Sequence, residues 1–316
     1  MRRTFCYGCA ACAPGVATSD SPRAPNLFTS IPDGTGMIGS AGVGAARRHV
    51  RAWVAGMAGA VVLAAGAVPA AAQDNDTTRF KHVFAPTDAY LLGGFALATV
   101  AARPLDTWAT KRLQSPTLQN SPILGRGATT VRILAVPGSL IGTAAFYGLG
   151  RARHDDAMSD VSLHTFEAVA VTGVVTTALK MTAGRARPYV DTSNPHSFKL
   201  LRGLQSDAYQ SFPSGHTSTA FAAATALTAE ASEWRPKDRW IVAGVTYTLA
   251  TLTGVSRVYN NYHWASDVLG GAAVGTITGL AVVRYNHIHR DNAVNRNLIP
   301  NRGRSGIPIV FSIPTR

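Results

Sequence analysis

Cysteine is nearly absent from this chain of 316 residues, and the three that it contains, Cys6, Cys9 and Cys12, lie among the first dozen residues. The C-x-x-C-x-x-C spacing is compatible with a metal site. However, three thiols without a nearby histidine make an incomplete tetrahedral set of ligands. Because no cysteine follows Cys12, a chain that has lost this segment has no disulfide bonds.

Charged residues are also scarce, at 15% of the chain, and 17 Asp and Glu stand against 30 Lys and Arg. The formal net charge of +13 suits an anionic partner such as a phosphate ester, an anionic lipid headgroup or a nucleic acid. Nucleic acid is disfavoured because no basic run is interleaved with aromatic residues. With 46% apolar residues and no internal repeat, the chain is expected to form one domain, with or without a tail.

The residues that precede this domain have the pattern of a secretion signal. A basic segment at 47–51 precedes an uncharged apolar run at 53–68, and Ala70, Ala71 and Ala72 follow it. This order of basic, apolar and small residues is typical of a signal peptide with its cleavage site. The alternative is an uncleaved transmembrane anchor, although the run is shorter than the roughly 20 residues that a span needs.

The position of the signal predicts how the chain is processed. A start at Met37 gives the signal an ordinary length, so residues 1–36 are expected to be a misassigned start or an unstructured leader. Residues 37–72 are then the signal peptide, and the mature chain begins near Gln73 with a linker over 73–84. The expected location is therefore extracytoplasmic, in a bacterium.

Six apolar segments with helical rather than alternating periodicity follow the linker. They lie at 87–112, 128–150, 159–183, 214–232, 237–256 and 263–286. The pattern predicts an all-α, six-helix bundle over 85–290. Alternating apolar residues are confined to the tail at 291–316, which is expected to be irregular or strand-like.

The first of three polar motifs ends the third helix, where Lys180 and Arg187 precede Pro188. Because proline stops the helix, the chain turns away with two cations near the helix end. Cations at this position are also favoured by the helix dipole alone. The motif by itself therefore does not require a ligand.

The second motif, Pro213-Ser214-Gly215-His216, opens the fourth helix. Ser214 is a natural N-cap, and Gly215 leaves the backbone N–H groups of the first turn open to an anion. His216 projects from the first turn, where a proton donor to a leaving group could stand. The alternative is a capped helix with a surface histidine.

The third motif contains Arg257, His263 and Asp267. If the sixth helix begins near His263, Asp267 lies one turn away on the same face. The carboxylate can then hold one imidazole nitrogen as N–H and leave the other as a nucleophile or base. Arg257 adds a planar cation suited to phosphate oxygens. A purely structural His–Asp hydrogen bond is the alternative.

In this order, the three motifs resemble the signature of a known superfamily. K-x6-R-P at 180–188, P-S-G-H at 213–216 and S-R-x5-H-x3-D at 256–267 resemble the type 2 phosphatidic acid phosphatase and vanadium haloperoxidase superfamily. Every position of the signature is filled, and Arg185 and Tyr189 also look like the family. The resemblance covers the six predicted helices.

The resemblance implies a role for each residue of the motifs. His263 would attack phosphorus to form a phosphohistidine, and Asp267 would orient this histidine and stabilise its positive charge. His216 would protonate the leaving oxygen and later activate water. The residues expected to bind the phosphoryl oxygens are Lys180, Arg187, Ser214, Gly215 and Arg257.

The implied activity is that of a metal-independent phosphatase of the bacterial acid or lipid phosphatase branch. Lipid phosphates, isoprenoid pyrophosphates and small phosphate esters all remain open as substrates. Three cations can neutralise a phosphoryl group without a metal, and Asp191 and Asp207 lie in a loop without partners for Mg²⁺, so no metal or other cofactor is expected. Vanadate is expected to inhibit. The alternative activity is that of a vanadate-dependent haloperoxidase, although such enzymes typically have longer chains.

The apolar runs bear on whether the bundle spans a membrane. The longest charge-free runs lie at 133–150, 241–256 and 268–283. They are slightly short for spans, and the third helix carries His164 and Glu167. A cleaved signal also leaves Gln73 outside, and six spans would then place the site on the cytoplasmic side, whereas the resemblance implies that a membrane enzyme of this kind works from the outer side. The sequence therefore favours a soluble or peripheral periplasmic protein over an integral inner-membrane protein, with membrane association as a possibility.

Overall fold

The computed structural model describes residues 82–290 and 292–298, and these residues form helices without a β-strand. The first part contains α1 (Pro86–Ala102), a 3₁₀ turn (Arg103–Leu105), α2 (Asp106–Leu113) and α3 (Pro116–Gln119). Next come α4 (Pro122–Ile133), a π-helical turn (Leu134–Gly138) and α5 (Ser139–Arg153), which form one continuous helix of 32 residues. The last part contains α6 (Asp156–Ala183), α7 (Gly215–Trp234), α8 (Arg239–Tyr259), α9 (Ala265–Ile288) and α10 (Ala293–Leu298).

The predicted all-α class is confirmed, and the predicted segments differ from the helices mainly at their ends. The first segment, 87–112, is broken at the 3₁₀ turn, and the second helix begins six residues before the predicted start at 128. Residues 293–298 form a short helix where an irregular or strand-like tail was expected. The predictions for 1–36 and 37–72, for the linker up to residue 81, and for strand-like residues after 298 lie outside the described residues.

Helix α6 shows how local chemistry sets the helix ends. Asp155 caps its start, because the Asp155 side chain accepts a hydrogen bond of 2.9 Å from the backbone N–H of Met158. Gly184 ends it in the left-handed conformation, with φ of 57°. A Cβ atom at Gly184 would lie 1.9 Å from the carbonyl oxygen of Lys199, so glycine is required there.

Helix α7 lies at the centre of the bundle and packs against α6, α8 and α9. Small residues let α9 approach it closely: a Cβ atom at Gly275 would lie 2.1 Å from the carbonyl oxygen of Ser218. One turn earlier, a Cβ atom at Gly271 would lie 2.6 Å from the carbonyl oxygen of Ser214. The two helices therefore run in parallel, and their N-terminal ends lie side by side.

The bundle has two chemically different ends. At one end, the last turns of α6 and α8 meet the first turns of α7 and α9, and we call this the site end. At the other end, the start of α1 meets the last part of α9, where Arg284 donates a hydrogen bond of 2.6 Å to Asp88. The chain therefore enters α1 at the end opposite the site.

The outer surface of the bundle is strongly apolar. Leu97, Ile141, Val174 and Ile241 are each about 70% exposed, and they lie on four different helices. The helix α4–α5 and helices α6, α8 and α9 are long and apolar enough to cross a membrane. Because these helices extend beyond the charge-free runs of the sequence, the shortness of those runs does not argue against spans.

Candidate functional site

The site end encloses a cavity of about 720 Å³, which is lined by residues from all three sequence motifs. The predicted site residues in its wall are Lys180, Arg187, Gly215, His216, Arg257 and His263. Ser214 and Asp267 are fully buried and lie behind this wall. The structure thus brings six of the eight predicted residues to one cavity.

Arg257 is a buried cation that lacks an anionic partner among the described residues. Its side chain is 4% exposed, and its Nε and Nη1 atoms are buried without a hydrogen-bond partner. The guanidinium lies over the ring of Tyr262, with 4.8 Å between its central carbon and the ring centroid. A buried and unpaired charge is costly, so this position is suited to an anion that enters the cavity.

Two further cations lie beside Arg257 in the wall. Lys180 donates a hydrogen bond of 2.7 Å from Nζ to the carbonyl oxygen of Gln210. Arg187 donates one of 2.5 Å from Nη2 to Oδ1 of Asp207, and the same guanidinium lies 5.2 Å from the centre of the Tyr262 ring. Asp207, an exposed acid in the loop between α6 and α7, thus forms an ion pair with Arg187.

His263 has one ring nitrogen occupied and one available. Its Nδ1 lies 2.6 Å from the carbonyl oxygen of Ser211, which can only accept a hydrogen bond, so Nδ1 carries the proton. This tautomer leaves Nε2 for the cavity. Burial lowers the pKa of His263 to about 3, and the Lys180 and Arg187 charges act in the same direction while Asp267 opposes them. His263 is thus neutral at pH 7, as a nucleophile must be.

Asp267 does not hold His263 in the way that the sequence pattern predicted. Helix α9 begins at Ala265, two residues after His263, so the two side chains are not one helical turn apart. Oδ2 of Asp267 lies 3.6 Å from Nδ1 of His263, which is too long for a hydrogen bond. The same Oδ2 accepts hydrogen bonds from Oγ of Ser211 (2.5 Å) and from the backbone N–H of Trp264 (2.8 Å). Asp267 therefore fixes the two segments on either side of His263, and the Ser211 carbonyl orients the ring.

A buried ion-pair chain extends behind Asp267. Arg185 is 1% exposed and donates from Nη1 to Asp267 and to Ser266, the latter over 2.8 Å. Its Nη2 donates to Oδ2 of Asp106 over 2.7 Å. Burial raises the pKa of Asp106, whereas the Arg185 charge lowers it. Sequence reasoning missed Asp106, although a single acid in the apolar stretch at 104–109 was a signal for a buried pair.

His216 faces the cavity from the first turn of α7. Burial lowers its pKa to about 3, and the positive charges of Arg257, Arg132, Lys180 and Arg187 add to this effect. Arg132, on α4, lies outside the three motifs and was not predicted. His216 is therefore neutral at pH 7 in the absence of an anion.

At the start of α7, Gly215 lines the cavity, whereas the Ser214 hydroxyl is engaged within the protein. Ser214 occupies the N-cap position, yet its hydroxyl lies 2.8 Å from Oγ1 of Thr217 and makes no capping bond to the backbone. A Cβ atom at Gly215 would lie 3.3 Å from Cε of Lys180, so glycine leaves room for the lysine. Gly215 and Lys180 thus both line the cavity.

Comparison with known proteins agrees with the motifs. Residues 162–291 match the PAP2 superfamily model, which confirms the resemblance seen in the sequence. The chain is 53% identical over 85 residues to the lipid A 1-phosphatase of Porphyromonas gingivalis, covering 27% of this chain and 18% of that protein. It is 33% identical over 129 residues to lipid phosphate phosphatase 1 of Arabidopsis thaliana, covering 35% and 39%. The chain thus spans well under half the length of these two relatives.

Among solved structures, the crystal structure of the first transmembrane PAP2 type phosphatidylglycerolphosphate phosphatase from Bacillus subtilis is similar to this chain. The alignment covers 66% of this chain and 98% of that one, with 21% sequence identity and a TM-score of 0.48.

Proposed function

We propose that this chain, whose residues 162–291 match the PAP2 superfamily model, is a phosphatase that removes a phosphate group from a phosphorylated lipid. The observation that carries the proposal is the buried Arg257, which has two unpartnered nitrogens beside His263 and His216 in one cavity. A phosphoryl group in this cavity would meet three cations, a neutral nucleophile and a second histidine. Phosphoryl transfer needs mainly such positioning and charge neutralisation.

In the first step, Nε2 of His263 attacks phosphorus, and the bond between phosphorus and the ester oxygen breaks. The oxygens of the phosphoryl group are held by Arg257, Lys180, Arg187 and the N–H of Gly215. His216 gives a proton to the leaving oxygen, so the lipid departs as an alcohol. Asp267 keeps its negative charge 3.6 Å from the imidazole of His263, which becomes cationic in the phosphohistidine.

In the second step, water attacks the phosphohistidine and the bond between phosphorus and nitrogen breaks. His216, neutral after the first step, accepts a proton from this water. The products are inorganic phosphate and the original neutral His263. No step draws on a metal ion, because the chain's own cations neutralise the phosphoryl charge.

The shape of the cavity supports a lipid substrate. Its lining continues along α6 from Lys180 to Gly173, seven residues or about 10 Å, and reaches Val136 in the π-helical turn. The cavity thus extends from the cations toward the apolar middle of the bundle. The names of the relatives, lipid A 1-phosphatase and lipid phosphate phosphatase 1, support the same class of substrate.

Phosphate release from a lipid phosphate in detergent micelles tests this function. We expect turnover in the presence of EDTA and inhibition by vanadate. Activity that is lost in EDTA and restored by Mg²⁺ would contradict metal independence. A preference for water-soluble phosphate esters would contradict the lipid substrate, and oxidation of halide by peroxide in the presence of vanadate would establish the haloperoxidase alternative.

A pair of cation substitutions provides the control for this assay. Arg257→Gln is expected to lower kcat by about 10²- to 10³-fold, which is typical for the loss of one preorganised donor to the transition state. Lys237→Gln removes an exposed cation at the opposite end of the bundle and should leave the rate unchanged. Equal rates for the two variants would argue against phosphate binding by Arg257.

We further propose that the bundle is integral to the membrane, with its site end on the outer side. The four long apolar helices and their exposed apolar side chains support this arrangement over the soluble or peripheral one. Since the chain enters α1 at the end opposite the site, residue 86 would then lie on the cytoplasmic side. With six crossings, this orientation is incompatible with a mature N-terminus on the outer side of the membrane.

Single cysteines provide the test, because no native cysteine follows Cys12. In a background with all three native cysteines changed to serine, we expect Ser193→Cys to react with a membrane-impermeant maleimide in intact cells. Lys237→Cys should react only after the inner membrane is opened. Both residues are exposed, in loops at opposite ends of the bundle. Labelling of both in intact cells would contradict the integral arrangement, and the reverse pattern would contradict the orientation.

A further inference from the structure

A second cluster of polar residues is buried far from the cavity. It consists of His164 on α6, Glu230 on α7 and His287 on α9, whose side chains are at most 7% exposed. His164 precedes Lys180 by sixteen residues on the same helix, or about 24 Å. The cluster is therefore distinct from the proposed phosphatase site and lies at the opposite end of the bundle.

The donor atoms of the three side chains converge on a small volume. Nδ1 of His164 lies 2.6 Å from Oε1 of Glu230, and Nε2 of His287 lies 3.1 Å from the same oxygen. One donor atom from each side chain lies within 4.8 Å of the others. In a tetrahedral zinc site, ligand atoms about 2.0–2.2 Å from the metal are about 3.3–3.6 Å apart. The two nitrogen-to-oxygen distances would each have to widen by about 1 Å or less to take such an ion.

One carboxylate oxygen of Glu230 is available to bind a metal ion. Its side chain is fully buried, and within 82–290 and 292–298 its Oε2 has no hydrogen-bond partner. A buried carboxylate oxygen without a partner is rare, and an ion that completes it is one of the accepted explanations. Oε2 can therefore serve as the metal ligand while Oε1 remains near the histidines, or both oxygens can bind.

The surrounding charges favour a cation in the cluster. Asp160 and Glu167 lie on the same helix as His164, and their negative charges act on it together with that of Glu230. Asn286, next to His287, donates a hydrogen bond of 2.5 Å to Glu167. The local environment is thus acidic.

We propose that His164, Glu230 and His287 bind a divalent transition metal ion, and that zinc is the metal best suited to their donor atoms. Two imidazole nitrogens and a carboxylate form a donor set that proteins use for zinc, with a fourth position left for water or another ligand. The three ligands come from three helices that pack on one another, so the ion would tie α6, α7 and α9 together. Its role would be structural, since it lies about 24 Å along α6 from Lys180.

Metal analysis of the full-length protein, purified in detergent and stripped with a chelator, tests this proposal. We expect the stripped protein to take up one Zn²⁺ per chain. When Co²⁺ is bound instead of Zn²⁺, we expect visible absorption bands typical of a low-coordinate site with nitrogen and oxygen ligands. Removal of a residue that only hydrogen-bonds to a metal ligand lowers metal affinity by about 10- to 100-fold. Loss of a ligand in Glu230→Gln or His164→Ala should therefore weaken binding by at least that factor.

His289→Ala is the matched control, because His289 is exposed and lies two residues after His287. This variant should bind Zn²⁺ as the wild-type chain does. Saturating Zn²⁺ should also raise the melting temperature of the stripped wild-type protein by about 5–10 °C, and that of Glu230→Gln hardly at all. Uptake of less than one tenth of an equivalent by the wild-type chain, or equal affinity in Glu230→Gln, would overturn the proposal.

The outcome does not depend on the proposed phosphatase activity. If the metal is structural, EDTA lowers the melting temperature while the rate below that temperature is unchanged. If EDTA instead stops turnover of a protein that remains folded, the metal is catalytic and the structural role assigned here is wrong. If the protein takes up one Zn²⁺ but has no phosphatase activity, the proposed metal site is supported and only the proposed phosphatase function is refuted.

Discussion

His263→Ala is expected to abolish turnover, with a loss of at least about 10⁴-fold in kcat on every phosphate ester. Removal of the nucleophile has an effect of this order in other hydrolases that form covalent intermediates. The remaining cations of the cavity would still bind phosphate, so the loss should appear in kcat and not in substrate affinity. Steady-state rates on a lipid phosphate, together with the inhibition constant for inorganic phosphate, measure the two separately.

The phosphoenzyme gives a second measurement of the same prediction. The wild-type chain mixed with ³²P-labelled substrate and quenched in alkali should carry label that is released by acid, as expected for a phosphohistidine. His263→Ala should carry none, whereas the exposed control His289→Ala should label normally. Because His263 is buried and bonded to the Ser211 carbonyl, the melting temperature of the variant is measured alongside. Label that persists in a folded His263→Ala protein would refute the nucleophile.

The helical bundle and part of the cavity wall could be predicted from the sequence. The features that mark them, apolar periodicity and short motifs, involve residues that are close together in the chain. Apolar periodicity marked each long helix, and the three motifs marked six of the residues that line the cavity. The predicted segment at 159–183 agrees with α6 at its end, although the helix begins three residues earlier and is stopped by Gly184 before the chain reaches Pro188. These features depend on residues within a turn or two of each other, and a single sequence contains that information.

The supporting interactions could not be predicted, because they join residues that are distant in sequence. Asp106 reaches Arg185, which lies 79 residues later, and Ser211 reaches His263, which lies 52 residues later. The spacing of His263 and Asp267 suggested a direct bond, but a helix that begins two residues late places them 3.6 Å apart. The residue at which the helix starts thus decides which group orients the imidazole ring of His263.

The sequence analysis favoured a soluble or peripheral protein partly because it counted the charged residues along each helix. His164 and Glu167 weighed against a membrane span for the third helix. In the structure, His164 points into the bundle toward Glu230, and Glu167 bonds to Asn286. Ionisable residues that face the interior of a bundle and pair there are compatible with a span. Which face of a helix carries a polar residue therefore matters more than the number of such residues.

His216 should show an effect that depends on the leaving group. In the absence of an anion, burial and the surrounding cations lower its pKa to about 3, so it is neutral at pH 7. A bound phosphate dianion brings two negative charges to the same cavity and offsets those cations. Because negative charge favours the protonated imidazole, we expect substrate binding to raise the pKa of His216 and so to protonate the group that must serve the leaving oxygen. The acid is thus formed when the substrate is present.

His216→Ala is therefore expected to be severe on an alkyl phosphate and mild on p-nitrophenyl phosphate. An alkoxide leaves poorly without a proton, and general acid help is worth roughly 10²- to 10⁴-fold in rate. The p-nitrophenolate ion leaves without a proton, so the first step should be much less affected, and phosphoenzyme should accumulate because the second step lacks its base. Rapid-quench kinetics with both esters measures the ratio of the two losses and the amount of label. Equal losses on the two esters would show that His216 does not protonate the leaving oxygen.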